Sequence, residues 1–250
     1  VPDNFNFAYD IVDVHAEKNP ELKAIVWVDD EGGFREFTFR EIKEYSEKTA
    51  SFFSSLGIRK GDAVMLMLKR RYEFWFSIIA LHRIGAICIP ATHMLSPEDI
   101  IYRNNVASVK MIVASDSDEI VKNVEASRSS SKNLETLVLC GSEREGWENF
   151  EKGIENPSLF SRPAGKDATV NSDISLLYFT SGTTSHPKMV AHDFTYPLGH
   201  IVTACFWQKV RPGGLHLTVA DTGWGKAVWG KLYGQWICGC TVFIYDYSSR

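Results

Sequence analysis

The 250-residue sequence predicts an α/β fold with mostly parallel β-sheets flanked by helices. Short apolar runs alternate with segments of helical periodicity along the chain, and this alternation is typical of parallel sheets. Ala63–Leu68 is apolar throughout, as expected for a strand buried on both faces of such a sheet. No internal repeat is evident, so a solenoid is not predicted.

Caps and turn residues set the predicted boundaries. Thr38, followed three residues later by Glu41, predicts a capping box that begins a helix. Ser96-Pro97-Glu98 supplies the N-cap, N1 proline and first-turn acid of another helix, and Gly57 and Gly85 are predicted helix ends. The predicted strands are Ala24–Val28, Phe34–Phe37, Ala63–Leu68, Ala86–Ile89, Met111–Ala114, Leu134–Leu139, Ile174–Phe179, His216–Ala220 and Thr241–Tyr245. Further predicted helices are Tyr72–Ile84, Pro197–Trp207 and Ala227–Ile237.

Two irregular segments complete the predicted organisation. Ser127–Lys132 is predicted to be a polar loop. Glu155–Ser172 lacks periodicity and contains two prolines and a glycine, so we expect a linker there. On this basis we divide the chain into a first α/β subdomain, residues 1–165, and the start of a second, residues 166–250, which carries the phosphate-binding loop described below.

The composition excludes several classes of protein. The chain is 44% hydrophobic and 23% charged, which excludes intrinsic disorder. Its 27 basic and 31 acidic residues give a net charge of −4, which argues against a nucleic-acid partner. The longest apolar stretch, Phe74–Leu81, is far shorter than the ~20 residues of a membrane span. Asp3 and Asp10 stand where a signal peptide would be basic. We expect a soluble globular protein.

Cysteine and histidine spacing gives no metal-site signal. The five cysteines are odd in number and lie mostly in apolar runs, which is typical of buried free thiols in a reducing cytosol. We therefore predict a cytoplasmic location. Cys238 and Cys240 are separated by a single residue, which is not a zinc-finger spacing, and we assign no metal ligand among the seven histidines.

The segment Thr180–Lys188 is the most informative part of the sequence. It follows an apolar strand and contains five hydroxyl residues, one glycine and one lysine. Such a loop suits polyphosphate, because amides and hydroxyls donate to phosphate oxygens and lysine adds a positive charge. A Walker A loop requires a glycine directly before the lysine and a helix after it. Here Pro187 precedes Lys188, so a P-loop kinase or GTPase is excluded.

Tyr178–Lys188 resembles the phosphate-binding signature Y/F-T-S-G-T-T-G-x-P-K of the adenylate-forming superfamily, and nine of its ten positions match. This superfamily contains acyl-CoA synthetases, luciferases and peptide-synthetase adenylation domains. Thr38–Leu68 and Leu81–Pro90 are similar to further family segments, and Ala220–Tyr245 is most similar to the short- and medium-chain acyl-CoA synthetases. Ser185 departs from the usual glycine; if that position needs positive φ, serine costs roughly 1 kcal/mol, which we expect the loop to tolerate.

The resemblance implies an enzyme that joins a carboxylate to ATP, releases pyrophosphate, and passes the acyl group from acyl-AMP to coenzyme A with release of AMP. It implies ATP, Mg²⁺ and coenzyme A as cofactors and a small carboxylate as substrate. Carried over by position, the loop residues that wrap the β- and γ-phosphates are Thr180, Ser181, Gly182, Thr183 and Thr184. Lys188 adds charge, and Thr184 is the candidate for a Mg²⁺ contact. The alternative for Lys188 is a solvated surface lysine.

The resemblance also places an acyl pocket. The segment that matches Asp221–Trp229 borders the carboxylate in the family, so Trp224, Lys226 and Trp229 are candidates, and Trp207 is a fourth. Tryptophans narrow a pocket and a lysine at its wall blocks a straight chain, which favours small or branched acyl groups. The alternative that these tryptophans are only core residues stays open. Lys69–Arg71 either contacts coenzyme A phosphates or, as we favour, is a solvated strand end.

Family members are much longer than this chain. The segments that hold adenine and ribose, the hinge and the small C-terminal domain with its catalytic lysine have no match here, so we expect an N-terminal fragment without a catalytic residue. Such a fragment is expected to be inactive and to self-associate through an exposed apolar face. Three alternatives stay open: an aryl-CoA ligase, a peptide-synthetase adenylation domain, for which only Asp221 could meet an ammonium group, and a non-catalytic nucleotide-binding protein.

Overall fold

Strands and helices alternate along the chain in the computed structural model, which describes residues 1–180 and 186–247. After a π-helical turn at Ala8–Val12, the N-terminal elements are α1 (Asp13–Lys18), β1 (Lys23–Asp29), β2 (Phe34–Thr38), α2 (Phe39–Ser55), β3 (Ala63–Met67), α3 (Glu73–Ile84), β4 (Ile87–Pro90), α4 (Pro97–Val106), β5 (Val109–Ser115), α5 (Asp118–Arg128), β6 (Thr136–Cys140), β7 (Glu148–Asn149) and α6 (Phe150–Glu155). The C-terminal elements are β8 (Ile174–Thr180), β9 (Lys188–Asp193), α7 (Tyr196–Val202), β10 (Leu215–Leu217), α8 (Gly225–Lys231), α9 (Tyr233–Ile237) and β11 (Thr241–Asp246).

The strands of the described residues form two sheets. The larger has the order β7-β6-β5-β3-β4-β8-β9 and is parallel apart from β9, which pairs antiparallel with β8 at one edge. The smaller has the order β10-β11-β1-β2, and β2 is its antiparallel member. The predicted α/β class with mostly parallel sheets is confirmed. Among the helices in these residues, none is long and apolar enough to cross a membrane.

Helix α3 forms the centre of the main core. All of its residues are buried, including Trp75 and Phe76. The same apolar cluster contains Ile25 of the smaller sheet and Val64 of the larger one. The core therefore joins the two sheets around α3, so that helix is buried on every face, including its few polar residues.

The predicted caps are present. The Thr38 hydroxyl accepts a hydrogen bond from the Glu41 amide at 3.2 Å, and the Glu41 carboxylate accepts one from the Thr38 amide at 2.7 Å. The Ser96 hydroxyl accepts from the Asp99 amide at 3.2 Å. Gly85 ends α3 with φ of +82°, a conformation that glycine adopts without a steric penalty. Local signals of this kind set these boundaries correctly.

Three C-terminal elements differ from the prediction. The predicted helix Pro197–Trp207 begins at Tyr196 and becomes π-helical over Thr203–Trp207. The predicted helix Ala227–Ile237 is broken at Leu232, whose φ is −141°, because Gly234 brings α9 against a carbonyl of α7. The predicted strand His216–Ala220 is shortened to β10, because the Thr218 hydroxyl turns to the Gly230 carbonyl at 2.8 Å.

The two irregular segments are more ordered than predicted. Ser127 belongs to α5, and its buried hydroxyl donates to the Val124 carbonyl at 2.7 Å, so a polar side chain is buried without losing a partner. In the predicted linker, the Ala168 carbonyl accepts a hydrogen bond from Lys60 at 2.7 Å. Strands from both sides of residue 165 pair in each sheet, as Cys88 of β4 does with Leu176 of β8. The division at residue 165 stays a prediction.

Candidate active site

The phosphate-binding segment is held by an antiparallel hairpin at the edge of the larger sheet. β8 leads into the loop and β9 leaves it, and the register pairs Thr180 with Lys188 at its base. The Thr180 hydroxyl lies 3.5 Å from the Lys188 carbonyl oxygen, and both residues are exposed. The other predicted phosphate-binding residues, together with Ser185, lie outside the described residues; they are Ser181, Gly182, Thr183 and Thr184, the last being the candidate Mg²⁺ contact.

The hairpin opens at the carboxyl edge of the sheet. β8 runs parallel to β4, which runs parallel to β3, so the phosphate-binding segment leaves the sheet where the segments after these strands also leave it. In open α/β sheets this edge is where ligands bind. The sheet therefore places Thr180 and Lys188 at a position suited to a ligand.

Helix α4 fixes the stem of the phosphate-binding segment. The Tyr102 hydroxyl donates a hydrogen bond to the Pro187 carbonyl at 3.0 Å. The Tyr102 ring also stacks on His186 with centroids 4.7 Å apart and lies 6.3 Å from the Phe179 ring. Both stems of the loop thus contact one tyrosine, which the sequence motif did not indicate.

The predicted acyl-pocket segment reaches the same edge through a tight turn. Both the amide and the hydroxyl of Thr222 donate to the Lys69 carbonyl just after β3, the amide at 3.3 Å. A Cβ added to Gly223 would lie 2.1 Å from the Thr92 amide nitrogen, just after β4. The turn therefore needs glycine at this position because backbone contacts backbone.

The turn also brings α8 against the strand that leads to the phosphates. A Cβ added to Gly225 would lie 3.8 Å from the Tyr178 ring, which is ordinary contact. Burial raises the pKa of Tyr178, so its phenol is neutral. Tyr178 and Gly225 are 47 positions apart in the sequence, and their proximity makes the two sequence motifs neighbours.

The structure brings together two of the four predicted pocket residues. Trp207 and Trp229 have ring centroids 5.9 Å apart. Trp207 is 67% exposed and Trp229 is half-buried, so this pair is not simply part of the core. Trp224 and Lys226 lie at the start of α8 and are exposed. Lys226 precedes Trp229 by three residues, which puts both on one face of the helix.

Three aromatic residues that the motifs did not indicate link the hairpin to this tryptophan pair. The distance between ring centroids is 4.0 Å from His192 of β9 to Tyr196 and 4.6 Å from Tyr196 to His200. The His200 ring stacks on Trp229 with centroids 6.2 Å apart. Burial lowers the pKa of His192 and of His200, so both imidazoles are neutral near pH 7. Tyr196 and His200 are four residues apart, so the sequence could have predicted that they lie on one face of a helix.

The basic segment after β3 is not solvated as predicted. Arg70 is 7% exposed; it lies 3.4 Å from the Asp221 carboxylate and 3.8 Å from the Tyr247 ring centroid. Arg71 Nη2 donates a hydrogen bond to the carboxylate of the buried Glu73 at 2.7 Å. The prediction of a solvated strand end was wrong for Arg70. Its charge can be buried because Asp221 and Tyr247, which are distant in the sequence, lie against it.

Comparison with known proteins finds a matching family and several acyl-CoA synthetases among the relatives. A family model described as AMP-binding enzyme matches residues 12–250. Human acyl-coenzyme A synthetase ACSM3, a mitochondrial protein, is 33% identical over 98% of this chain and 42% of its own length. Rat acyl-coenzyme A synthetase ACSM5, also mitochondrial, is 33% identical over 98% of this chain and 43% of its own length. The chain therefore spans less than half the length of these curated relatives.

Solved structures show the same fold. The anthranilate CoA ligase AuaEII in complex with anthranoyl-AMP has a TM-score of 0.85 at 22% identity, with 98% of this chain and 45% of that chain covered. An acyl-CoA synthetase of Brucella canis has a TM-score of 0.85 at 20% identity, with 98% and 44% covered.

The predicted cytoplasmic location is contradicted by these comparisons. The human ACSM3 and ACSM4 and the rat ACSM5 relatives are named as mitochondrial proteins. Unpaired thiols argue only against an oxidising compartment, so they could not distinguish the cytosol from another reducing compartment.

The match to the family model covers all but the first eleven residues, and the hairpin, the turn at Gly223 and the sheet edge lie inside it. The predicted membership of the adenylate-forming superfamily is confirmed, since the chain belongs to the AMP-binding enzyme family.

Proposed function

We propose that this chain supplies the phosphate-binding hairpin and the acyl-pocket segment of an AMP-forming acyl-CoA synthetase. The whole protein converts a short- or medium-chain carboxylic acid and ATP to acyl-AMP and pyrophosphate, and then forms acyl-CoA with release of AMP. The observation that carries the proposal is the close approach of Gly225 in α8 to the Tyr178 ring. It supports a pocket formed by Asp221–Trp229 beside the strand that leads to Thr180 and Lys188.

Catalysis at this site depends mainly on positioning the substrates and neutralising the phosphate charge. A carboxylate is a weak nucleophile, so it must be held in line with the α-phosphorus while the phosphate charge is neutralised. Lys188 is exposed at the base of the hairpin, where its ammonium can approach the β- and γ-phosphates. Thr180 is exposed beside it and offers a hydroxyl donor.

We propose that the acyl group lies against the face of α8 that carries Lys226 and Trp229. Trp207 extends this surface through its contact with Trp229. Indole rings would limit the length of a straight chain, which supports a small or branched acyl group. Apolar pockets discriminate by only ~1–3 kcal/mol per methylene, so acids of neighbouring length should also react.

An amino-acid substrate is less well supported. Asp221 is the acid that could have met an ammonium group, yet its carboxylate lies 3.4 Å from both Arg70 Nη1 and His93 Nδ1, and its Oδ1 accepts from the Gly223 amide at 2.9 Å. A carboxylate used in this way stabilises the turn. We therefore favour a carboxylic acid without an amino group.

The resemblance places Mg²⁺ at Thr184, which lies outside the described residues. Among the described residues, the exposed Thr180 hydroxyl at the loop base would supply an oxygen ligand of the kind that Mg²⁺ prefers. Coenzyme A is proposed as the acyl acceptor because of the family. Arg70 and Arg71 are engaged by carboxylates, so we do not assign them to its phosphates.

Carboxylate-dependent ATP–pyrophosphate exchange on the complete gene product tests this function. The acids run from acetate through branched C4 and C5 acids to octanoate, with the 250-residue chain alone in parallel. We expect exchange that peaks with small branched acids in the complete protein and none in the chain alone. Exchange with amino acids would favour an adenylation domain, and exchange with benzoates an aryl-CoA ligase. Failure with every acid would favour a non-catalytic nucleotide-binding protein.

The surface near the tryptophan pair supports self-association of the chain when it is produced alone. Large apolar side chains are exposed there and in or just after β10; they include Phe206 (78%), Trp207 (67%), Leu215 (63%) and Val219 (69%). Exposed apolar side chains of this size favour contact with a second copy of the chain. Sedimentation at increasing concentration is expected to show association, and a strict monomer would contradict it.

A further inference from the structure

Two cysteines that are 33 residues apart contact each other near the tryptophan pair. Cys205 Sγ lies 3.2 Å from Cys238 Sγ, whereas the sequence drew attention only to Cys238 and Cys240. A sulfur–sulfur bond is about 2.0 Å long, so the two atoms are roughly 1.2 Å beyond bonding distance. Cys240 is directed elsewhere, since its thiol donates to the Gly214 carbonyl at 3.1 Å.

Close helix packing produces this contact. A Cβ added to Gly234 of α9 would lie 2.4 Å from the His200 carbonyl oxygen and 2.6 Å from the Ala204 Cβ. Glycine therefore lets α9 approach the α7 backbone directly. Cys205 follows Ala204, and Cys238 lies one helical turn after Gly234, so the two sulfurs meet at the end of this packed surface.

The pair is accessible to a small oxidant. Both side chains are half-buried rather than enclosed. Cys238 also lines a cleft of about 720 Å³ between the chain around His15–Leu22 and the turn at Pro212–Gly213. Cys205 lies in the π-helical segment and Cys238 follows the end of α9, so neither is locked inside a regular helix.

We propose that Cys205 and Cys238 form a redox-active dithiol that a peroxide converts to an intramolecular disulfide. The Cys205 thiolate attacks one oxygen of hydrogen peroxide; the O–O bond breaks, the leaving hydroxide takes a proton and departs as water, and Cys205 becomes a sulfenic acid. Cys238 sulfur then attacks the Cys205 sulfur. The S–S bond forms, the S–O bond breaks, and the released hydroxide takes the Cys238 proton to leave as a second water.

The order of attack follows from the surroundings of Cys238. Burial and the hydrogen bond with the Cys205 thiol raise the pKa of Cys238. A thiol that resists ionisation is a poor first nucleophile, so Cys238 is the resolving partner. Closing the bond ties the segment that carries Trp207 to the end of α9.

Peptide mapping of the peroxide-treated protein tests the proposal. The reduced 250-residue chain is treated with hydrogen peroxide, alkylated with N-ethylmaleimide, and digested with trypsin without reduction. Trypsin releases residues 189–209, with Cys205, and residues 232–250, with Cys238 and Cys240. Because the second peptide holds two cysteines, the assignment uses the Cys240→Ser variant.

We expect the two peptides joined with the loss of two hydrogens in the wild-type chain and in Cys240→Ser, and separate in Cys205→Ser and Cys238→Ser. The joined fraction should not change on tenfold dilution, as required for a bond within one chain. The oxidised Cys240→Ser protein should melt roughly 5 °C higher, and dithiothreitol should reverse the shift. Recovery of Cys205 and Cys238 fully alkylated after peroxide, or a bond to Cys240 or between chains, would overturn the proposal. These measurements do not use enzymatic activity, so they stand apart from the proposed function.

Discussion

The Tyr102 hydroxyl donates a hydrogen bond to the Pro187 carbonyl oxygen at 3.0 Å, and so connects α4 to the stem of the phosphate-binding segment. The ring of the same tyrosine stacks on His186. The residues that flank a ligand-binding loop fix the positions of its two ends. Tyr102 provides such an anchor on the side that carries Lys188.

We therefore expect Tyr102→Phe to weaken ATP binding. The variant keeps the ring stacking and removes one hydrogen bond, which is worth ~1 kcal/mol, so the KM for ATP should rise roughly fivefold. The measurement is pyrophosphate exchange with the complete gene product at varied ATP. Tyr9→Phe is a matched control, since it removes one hydrogen bond of 2.8 Å, to the Arg83 carbonyl, away from the hairpin. Equal KM values in the two variants would show that the anchor does not act on ATP.

Gly223→Ala is expected to destabilise the protein. The added methyl group would lie 2.1 Å from the Thr92 amide nitrogen, and neither backbone segment can turn away as a flexible side chain could. We expect the free energy of unfolding in urea to fall by at least ~2 kcal/mol. In contrast, a Cβ added to Gly199 in α7 meets no atom within 4 Å, so Gly199→Ala should raise stability by up to ~1 kcal/mol. Similar effects of the two changes would contradict the close approach at Gly223.

The sequence predicted the features of the fold that depend on neighbouring residues. The capping box at Thr38 and the end of α3 at Gly85 are local signals, and both are present. The break at Leu232 was missed because it depends on Gly234 meeting the carbonyl of His200, more than thirty residues earlier. A pattern of helical periodicity carries no information on such a contact.

The same distinction applies to the candidate site. Thr180 and Lys188 could be predicted because their motif is contiguous; the register pairs them, and their contact with phosphates stays a prediction. The role of Tyr102 was missed because its partner Pro187 is 85 residues away. Arg70 was taken for a solvated residue because Asp221, its partner, is 151 residues away. A single sequence shows charge and polarity, but it does not show the partner that makes burial of a charge tolerable.

Buried His82 is expected to make stability depend on pH. His82 is 1% exposed, its Nε2 lies 2.8 Å from the Tyr233 hydroxyl, and burial lowers its pKa to about 3. Between about pH 6.5 and pH 3 the unfolded chain binds a proton that the folded chain does not, so stability falls as pH falls through this window. The loss attributable to His82 between pH 7.5 and pH 5 is about 2 kcal/mol.

Urea unfolding of His82→Gln at the two pH values measures this contribution, because glutamine does not titrate and the variant should lose about 2 kcal/mol less than the wild type on acidification. Tyr233→Phe is the matched control. It removes the same hydrogen bond but leaves the imidazole buried, so it should keep the pH dependence of the wild type. Identical pH dependence in the wild type and His82→Gln would show that the imidazole does not titrate across this range.

Trp229→Ala is expected to broaden the acid preference toward longer chains. Trp229 lies between Trp207 and His200, and loss of its indole leaves space on the face of α8 that carries Lys226. Each methylene accommodated there is worth ~1–3 kcal/mol, so the ratio of kcat/KM for octanoate to that for a branched C4 acid should rise at least tenfold. The ratio does not depend on how much of the protein folds, which matters because a large side chain is removed. Trp147→Ala is the matched control. Trp147 belongs to a separate apolar cluster, and its indole donates a hydrogen bond to Glu125. This substitution should leave the ratio unchanged. A ratio unchanged in Trp229→Ala would mean that Trp229 is a packing residue and that the acyl chain lies elsewhere.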